Sequence, residues 1–179
     1  MPRAQQALHR PPFYPHLSVR FGEGSGAARR VRAYRQVRDY TCGFASALTV
    51  LHAFRRYVPA EDLYERLGTD RTGTRQTAIV RELRSEGLSA IVRYDLEFED
   101  IARHIDQGAL IIAYHYNLEH WLVIFGYARG PDRLLVADPW PTSRTEHMWE
   151  TYGPKLGGFG IVCRPPRTSA RLVAVRARA

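Results

Sequence analysis

Cys42 stands directly before a helical run, a place where a cysteine can act as a nucleophile. The run 43–57, GFASALTVLHAFRRY, sets Phe44, Leu48, Leu51 and Phe54 near i, i+4, i+7 and i+10, the apolar stripe of a helix. A helix N-terminus carries unsatisfied N–H groups and a partial positive charge, which favour a thiolate and can hold an oxyanion. Gly43, with no Cβ, would let a substrate approach that end closely. Taken alone, such a cysteine also fits a buried structural thiol. Its partners decide between the two.

Three residues qualify as partners. Gln36 lies six positions before Cys42, within reach along a short loop for its side-chain amide to point at the same oxyanion. His120 opens the strongly apolar run Trp121-Leu122-Val123-Ile124-Phe125, where a polar residue is out of keeping with its neighbours. It can be a general base or a histidine held by hydrogen bonds at a sheet edge. Asp138, in Ala137-Asp138-Pro139-Trp140, ends the next apolar run. Its carboxylate can fix the tautomer of an imidazole, or simply start an Asp-Pro turn. Together the four have the form of a nucleophile, a base, an orienter and an oxyanion donor.

Other residues fit this chemistry less well. His115, His120 and Asp138 do not show the compact Cys/His spacing of a zinc site, so no metal and no cofactor is expected. His52 falls inside the first helix and reads as a packed or surface residue, and Cys163 in the last apolar run reads as an inert buried thiol. Trp121 and Trp140 flank the proposed histidine and aspartate and can wall a substrate site or fill the core.

The elements that must position these groups divide in two. After the first helix, Pro59 suits the start of a second over Ala60–Leu67, and Thr77–Glu86 reads as a third that stops at Gly87. From Ser89 onward the apolar runs are short: Ser89–Tyr94, Ala109–His115, His120–Tyr127, Leu134–Ala137 and Phe159–Cys163. Gly130-Pro131-Asp132 reads as a hairpin connection, which pairs the third and fourth runs antiparallel. Helices first and strands afterwards predict an α+β domain with N-terminal helices packed on a C-terminal antiparallel sheet. The domain is expected over residues 31–167. Residues 1–30, with Pro11-Pro12 and the Gly22–Gly26 run, form a flexible or loosely docked arm, and 168–179 a basic tail.

The chain has 179 residues, 45% of them hydrophobic, which suits one domain and one active centre. The formal charge of +8 raises nucleic-acid binding, but Lys155 is the single lysine and the arginines are scattered, so no nucleic-acid partner is expected. No apolar h-region follows Met1-Pro2-Arg3, and no run is long enough to span a bilayer; the expected compartment is the reducing cytoplasm.

The ordered set Gln36-Val-Arg-Asp-Tyr-Thr-Cys42-Gly43-Phe-Ala45-Ser, Gly73-Thr74, His120-Trp-Leu-Val-Ile-Phe-Gly126 and Asp138-Pro139 resembles the bacteriocin-processing, double-glycine leader peptidase family of papain-like cysteine peptidases. The resemblance covers residues 33 to 140, with 78 positions from Cys42 to His120 and 18 from His120 to Asp138. It implies a papain-like fold, the roles of Cys42, His120, Asp138 and Gln36 given above, and a peptide or protein substrate. Many members are the N-terminal domain of a peptide exporter, and this chain contains no Gly-x-x-x-x-Gly-Lys-Ser/Thr loop, so a separately encoded exporter is the implied partner. Thr41 stands where the family commonly has an acidic residue or Asn. Two alternatives use the same groove: an acyl or peptidyl transferase resolving the same thioester, and a catalytically silent peptide-binding module.

Overall fold

The structure, a computed structural model, describes residues 26–140 and 145–166. Residues 1–25 of the expected arm and the whole expected tail lie outside the described residues. Helix α1 is Cys42–Ala53, α2 Ala60–Leu67 and α3 Gln76–Ser85; strand β1 is Gly26–Ala28 and β2 Ser89–Arg93. Helix α4, Phe98–Asp106, precedes β3, Leu110–His115, and a short 3₁₀ turn leads into β4, His120–Ala128. Strands β5, Arg133–Ala137, and β6, Glu146–Met148, are followed by α5, Trp149–Leu156, and β7, Gly160–Arg164.

The strands form one antiparallel sheet in the order β2-β7-β3-β4-β5-β6, with β1 beside the far end of β4. The expected hairpin is present: β4 and β5 pair antiparallel, Val123 opposite Ala137 and Ala128 opposite Arg133. Residues 26–28 also join the sheet, Gly26 opposite Ala128 and Ala28 opposite Gly126.

The sheet is covered on both faces. Helices α1 to α3 pack against Ile112, Val123, Phe125, Leu135 and Ile161, while α4 and α5 pack against Ile111, Leu122, Ile124, Val136 and Val162. Burial on two faces explains why β4 reads as an unbroken apolar run, every one of its nine residues being buried. The sequence predicts only the N-terminal helical layer. Helix α4 has a legible signature, with Phe98, Ile101, Ala102 and Ile105 buried at helical spacing behind a capping box of Glu97 and Asp100. Helix α5 has no such signature, because Gly153 and Pro154 lie inside it.

Helix α1 is buried on all sides from Cys42 to Leu51, so it runs through the interior rather than along the surface. It stops at Ala53, earlier than the apolar stripe suggests. Arg55 turns into the left-handed region at φ 60°, and the N–H groups of Arg55 and Arg56 close on the carbonyls of His52 and Leu51. That is a Schellman ending built without the glycine that would mark it in sequence.

Candidate active site

Cys42 is the first residue of α1, with Thr41 as its N-cap. It is only 4% exposed, yet it lines a cleft of about 720 Å³. Much of its lining is aromatic, with Tyr94, Tyr114, Tyr116, Trp121 and Phe159, and the segment 71–74 borders it. Asp39, Glu119 and Arg71 place charge at its margin. Of these lining residues the sequence reading gives a role only to Cys42 and Trp121, and its motif set also includes Asp39 and Gly73-Thr74. The others come from separate elements, and nothing in their local pattern marks them.

His120 begins β4 and Asp138 immediately follows β5. The β4–β5 register therefore delivers the two side chains to the same end of the hairpin, where His120 Nε2–H donates to Asp138 Oδ1 at 2.6 Å. The same carboxylate oxygen accepts the Trp140 N–H at 2.7 Å. The aspartate thus holds the ring and caps its own turn at once. The Cys42 thiol lies near enough to the same imidazole to favour its charged form, so the histidine stands between the helix start and the β5 end. Burial alone would lower the pKa of His120; the hydrogen bonds and charges of Asp138 and Cys42 outweigh it and raise the pKa to about 9.

Gln36 is buried, at 8% exposure. Its backbone N–H donates to the Pro139 carbonyl at 2.9 Å, which ties its segment to the loop carrying Asp138. Its side-chain Nε2 makes a long 3.4 Å bond to the Asp39 carbonyl, and its Oε1 is buried with no partner among the described residues.

The three residues singled out as substrate contacts fall in different settings. A Cβ at Gly43 would lie 2.7 Å from Thr74 Cβ and 2.9 Å from Trp121 Cδ1, so the missing side chain lets the helix start pack against those two residues. Trp121 is buried, its indole N–H bonded to the Thr74 carbonyl at 3.1 Å, and it forms part of the cleft wall. Trp140 is 46% exposed and stands edge-on to His120, ring centroids 6.0 Å apart, outside the set of cleft-lining residues.

The remaining candidates are held elsewhere. Cys163 is fully buried in β7, and burial pushes its pKa up to about 12, which removes it from thiolate chemistry near neutrality. His52 accepts or donates to Tyr34 Oη at 2.5 Å, packed within the first helical layer. His115 lies directly opposite His120 in the β3–β4 ladder, buried against Tyr152 of α5. Among the described residues no three His, Cys, Asp or Glu side chains are grouped to hold a metal ion, and no helix is long and apolar enough to cross a membrane.

A cysteine at the start of a buried helix, facing an imidazole held by a carboxylate across an antiparallel sheet, is the arrangement of papain-like cysteine peptidases. Residues 29–156 match the Peptidase_C39 like family, and the chain belongs to that family of cysteine peptidases. Among solved structures, a double glycine motif protease from an AMS/PCAT transporter, crystallised in complex with a leader peptide, superposes with a TM-score of 0.60. It is 21% identical over 78% of this chain and 94% of its own. The peptidase domain of Streptococcus ComA, a bi-functional ABC transporter involved in quorum sensing, superposes with a TM-score of 0.59, at 20% identity over 73% of this chain and 96% of its own. The Streptococcus mutans ComA peptidase domain gives a TM-score of 0.53 at 20% identity, over 73% and 97% of the two chains. No curated protein matches the sequence.

Proposed function

We propose that the chain cleaves a peptide bond with Cys42 as nucleophile, His120 as base and acid, Asp138 as orienter, and Gln36 with the Cys42 N–H as oxyanion hole. The observation that carries this reading is the imidazole of His120, bonded to the Asp138 carboxylate at 2.6 Å and placed beside the thiol of Cys42, which opens a helix and lines the cleft.

The chemistry follows from the placement. The Cys42 thiolate attacks the substrate carbonyl carbon, and the carbonyl electron pair moves onto oxygen. That oxyanion is held by the helix-start amide and the Gln36 carboxamide. On collapse the C–N bond breaks, and the His120 imidazolium gives its proton to the leaving amine. Water then attacks the thioester, His120 accepts its proton, and the C–S bond breaks to return the thiolate. No step calls for a metal or an organic cofactor.

The substrate of this reading is a leader-type peptide lying along the aromatic cleft. A separately encoded exporter is the partner that would receive the product, and the reducing cytoplasm is where such a thiol would work. Cys42→Ala is expected to abolish turnover of a fluorogenic peptide while leaving the unfolding midpoint near that of the wild type. Turnover persisting near the wild-type rate in that variant ends the thiol-peptidase reading. A peptide-library cleavage screen with the wild type then defines the sequence on either side of the cut bond.

A further inference from the structure

The hydroxyl of Thr41, the residue before the nucleophile, does something unusual for an N-cap. Threonine at a helix N-cap ordinarily accepts an N–H of the first turn. Here no side-chain cap bond forms. Thr41 Oγ1 instead turns back into the preceding loop, where it accepts the N–H groups of Val37 and Arg38, both at 3.1 Å, and donates to the Arg38 carbonyl at 2.9 Å. The Thr41 N–H donates to that same carbonyl at 3.0 Å. Thr41 is 1% exposed, so no water stands ready to replace these bonds.

From this we infer that Thr41 is a positioning residue for the oxyanion hole. Its hydroxyl closes the 37–41 turn, which fixes the span between the Gln36 carboxamide and the Cys42 amide. The other end of the segment is anchored by the Gln36 N–H on Pro139, so the loop is held at both ends. Thr41 does not line the cleft, and the role is exerted through Gln36.

This inference rests on the proposed function, and the test separates the two. In the full chain, Thr41→Val keeps the side-chain shape and removes the hydroxyl. It is expected to lower kcat roughly 10- to 100-fold with KM little changed, as when an oxyanion donor is misplaced rather than deleted. The rate of Cys42 alkylation by iodoacetamide should stay at the wild-type value, because the thiol–imidazole pair is untouched. Thr41→Ser should recover most of the lost kcat. In a Gln36→Ala background the same Thr41→Val change should cost less than about twofold, since a residue that acts through Gln36 has nothing left to position. If Thr41→Val does not fold, Thr41→Ala is compared with Thr41→Ser in the same way. Wild-type kcat in the folded valine variant overturns the inference, as does a full additional loss in the Gln36→Ala background or a parallel loss of alkylation. Wild-type kcat in Gln36→Ala itself, or activity in Cys42→Ala, instead overturns the site on which the inference is built.

Discussion

Removing the Asp138 carboxylate should move the alkaline limit of activity. In the wild type, burial works against a charged His120, and the hydrogen bonds and charges of Asp138 and Cys42 reverse that effect to raise the pKa from 6.5 to about 9. At about 1.4 kcal/mol per pH unit, the net displacement corresponds to about 3 kcal/mol in favour of the imidazolium. Asp138→Ala leaves the burial and deletes the 2.6 Å bond and the neighbouring charge. Loss of an adjacent carboxylate is worth roughly 1–3 pH units, so the alkaline limb of kcat/KM should fall from near 9 to about 7. At pH 8 to 9 the imidazolium–thiolate fraction then drops about 10- to 100-fold, and freeing the ring to rotate adds to the loss. KM should change little, because Asp138 does not line the cleft. Asp138→Asn keeps an acceptor for Nε2–H and should remain within about tenfold of the wild type near pH 6.5. The assay is kcat/KM from pH 5 to 10, paired with the pH dependence of Cys42 alkylation. An unshifted alkaline limb in Asp138→Ala, with full activity, refutes the reasoning. Stability carries the matching sign. A group whose folded pKa is raised contributes fully below its unfolded value of about 6.5, and that contribution disappears as pH rises through about 9. The gap in unfolding free energy between wild type and Asp138→Ala should accordingly be wider at pH 6 than at pH 10.

Gln36→Ala should lower kcat roughly 10²- to 10³-fold with little effect on KM, as for loss of one oxyanion donor, and a pure KM effect would place Gln36 in ground-state contact instead. Cys163→Ser should leave steady-state rates unchanged, since the thiol is fully buried with its pKa pushed up to about 12; a large rate loss without loss of stability would identify it as a reacting thiol. Gly43→Ala should destabilise the fold by about 1–2 kcal/mol in urea titrations. The new Cβ would press on Thr74 at 2.7 Å and Trp121 at 2.9 Å, and overpacking outweighs the roughly 1 kcal/mol that alanine gains in a helix. An unchanged or higher urea midpoint would show that the helix start is free to shift.

Three of the four proposed site residues stand out in sequence because each sits at an element boundary where its type conflicts with its neighbours. Cys42 opens an apolar helix, His120 leads an apolar strand, and Asp138 directly follows one, whereas Gln36 lies in the loop six residues before Cys42 and only that proximity marks it. The hairpin between β4 and β5 is equally legible, and pairing of successive strands brings His120 near Asp138 without any knowledge of the rest of the fold. Hydrophobic period and turn residues are local properties, and local properties are what a sequence displays directly. The second helical layer and the cleft belong to the tertiary structure. Helix α5 contains Gly153 and Pro154, so packing on the sheet rather than propensity holds it in place. The cleft wall gathers Tyr94, Tyr114, Trp121 and Phe159 from distant parts of the chain. The role of Gly43 shows the difference most clearly. A missing Cβ beside a nucleophile reads in sequence as room for substrate, but only the folded chain brings Thr74 and Trp121 into that space, because contact between residues so far apart is set by the packing of layers and not by spacing along the chain.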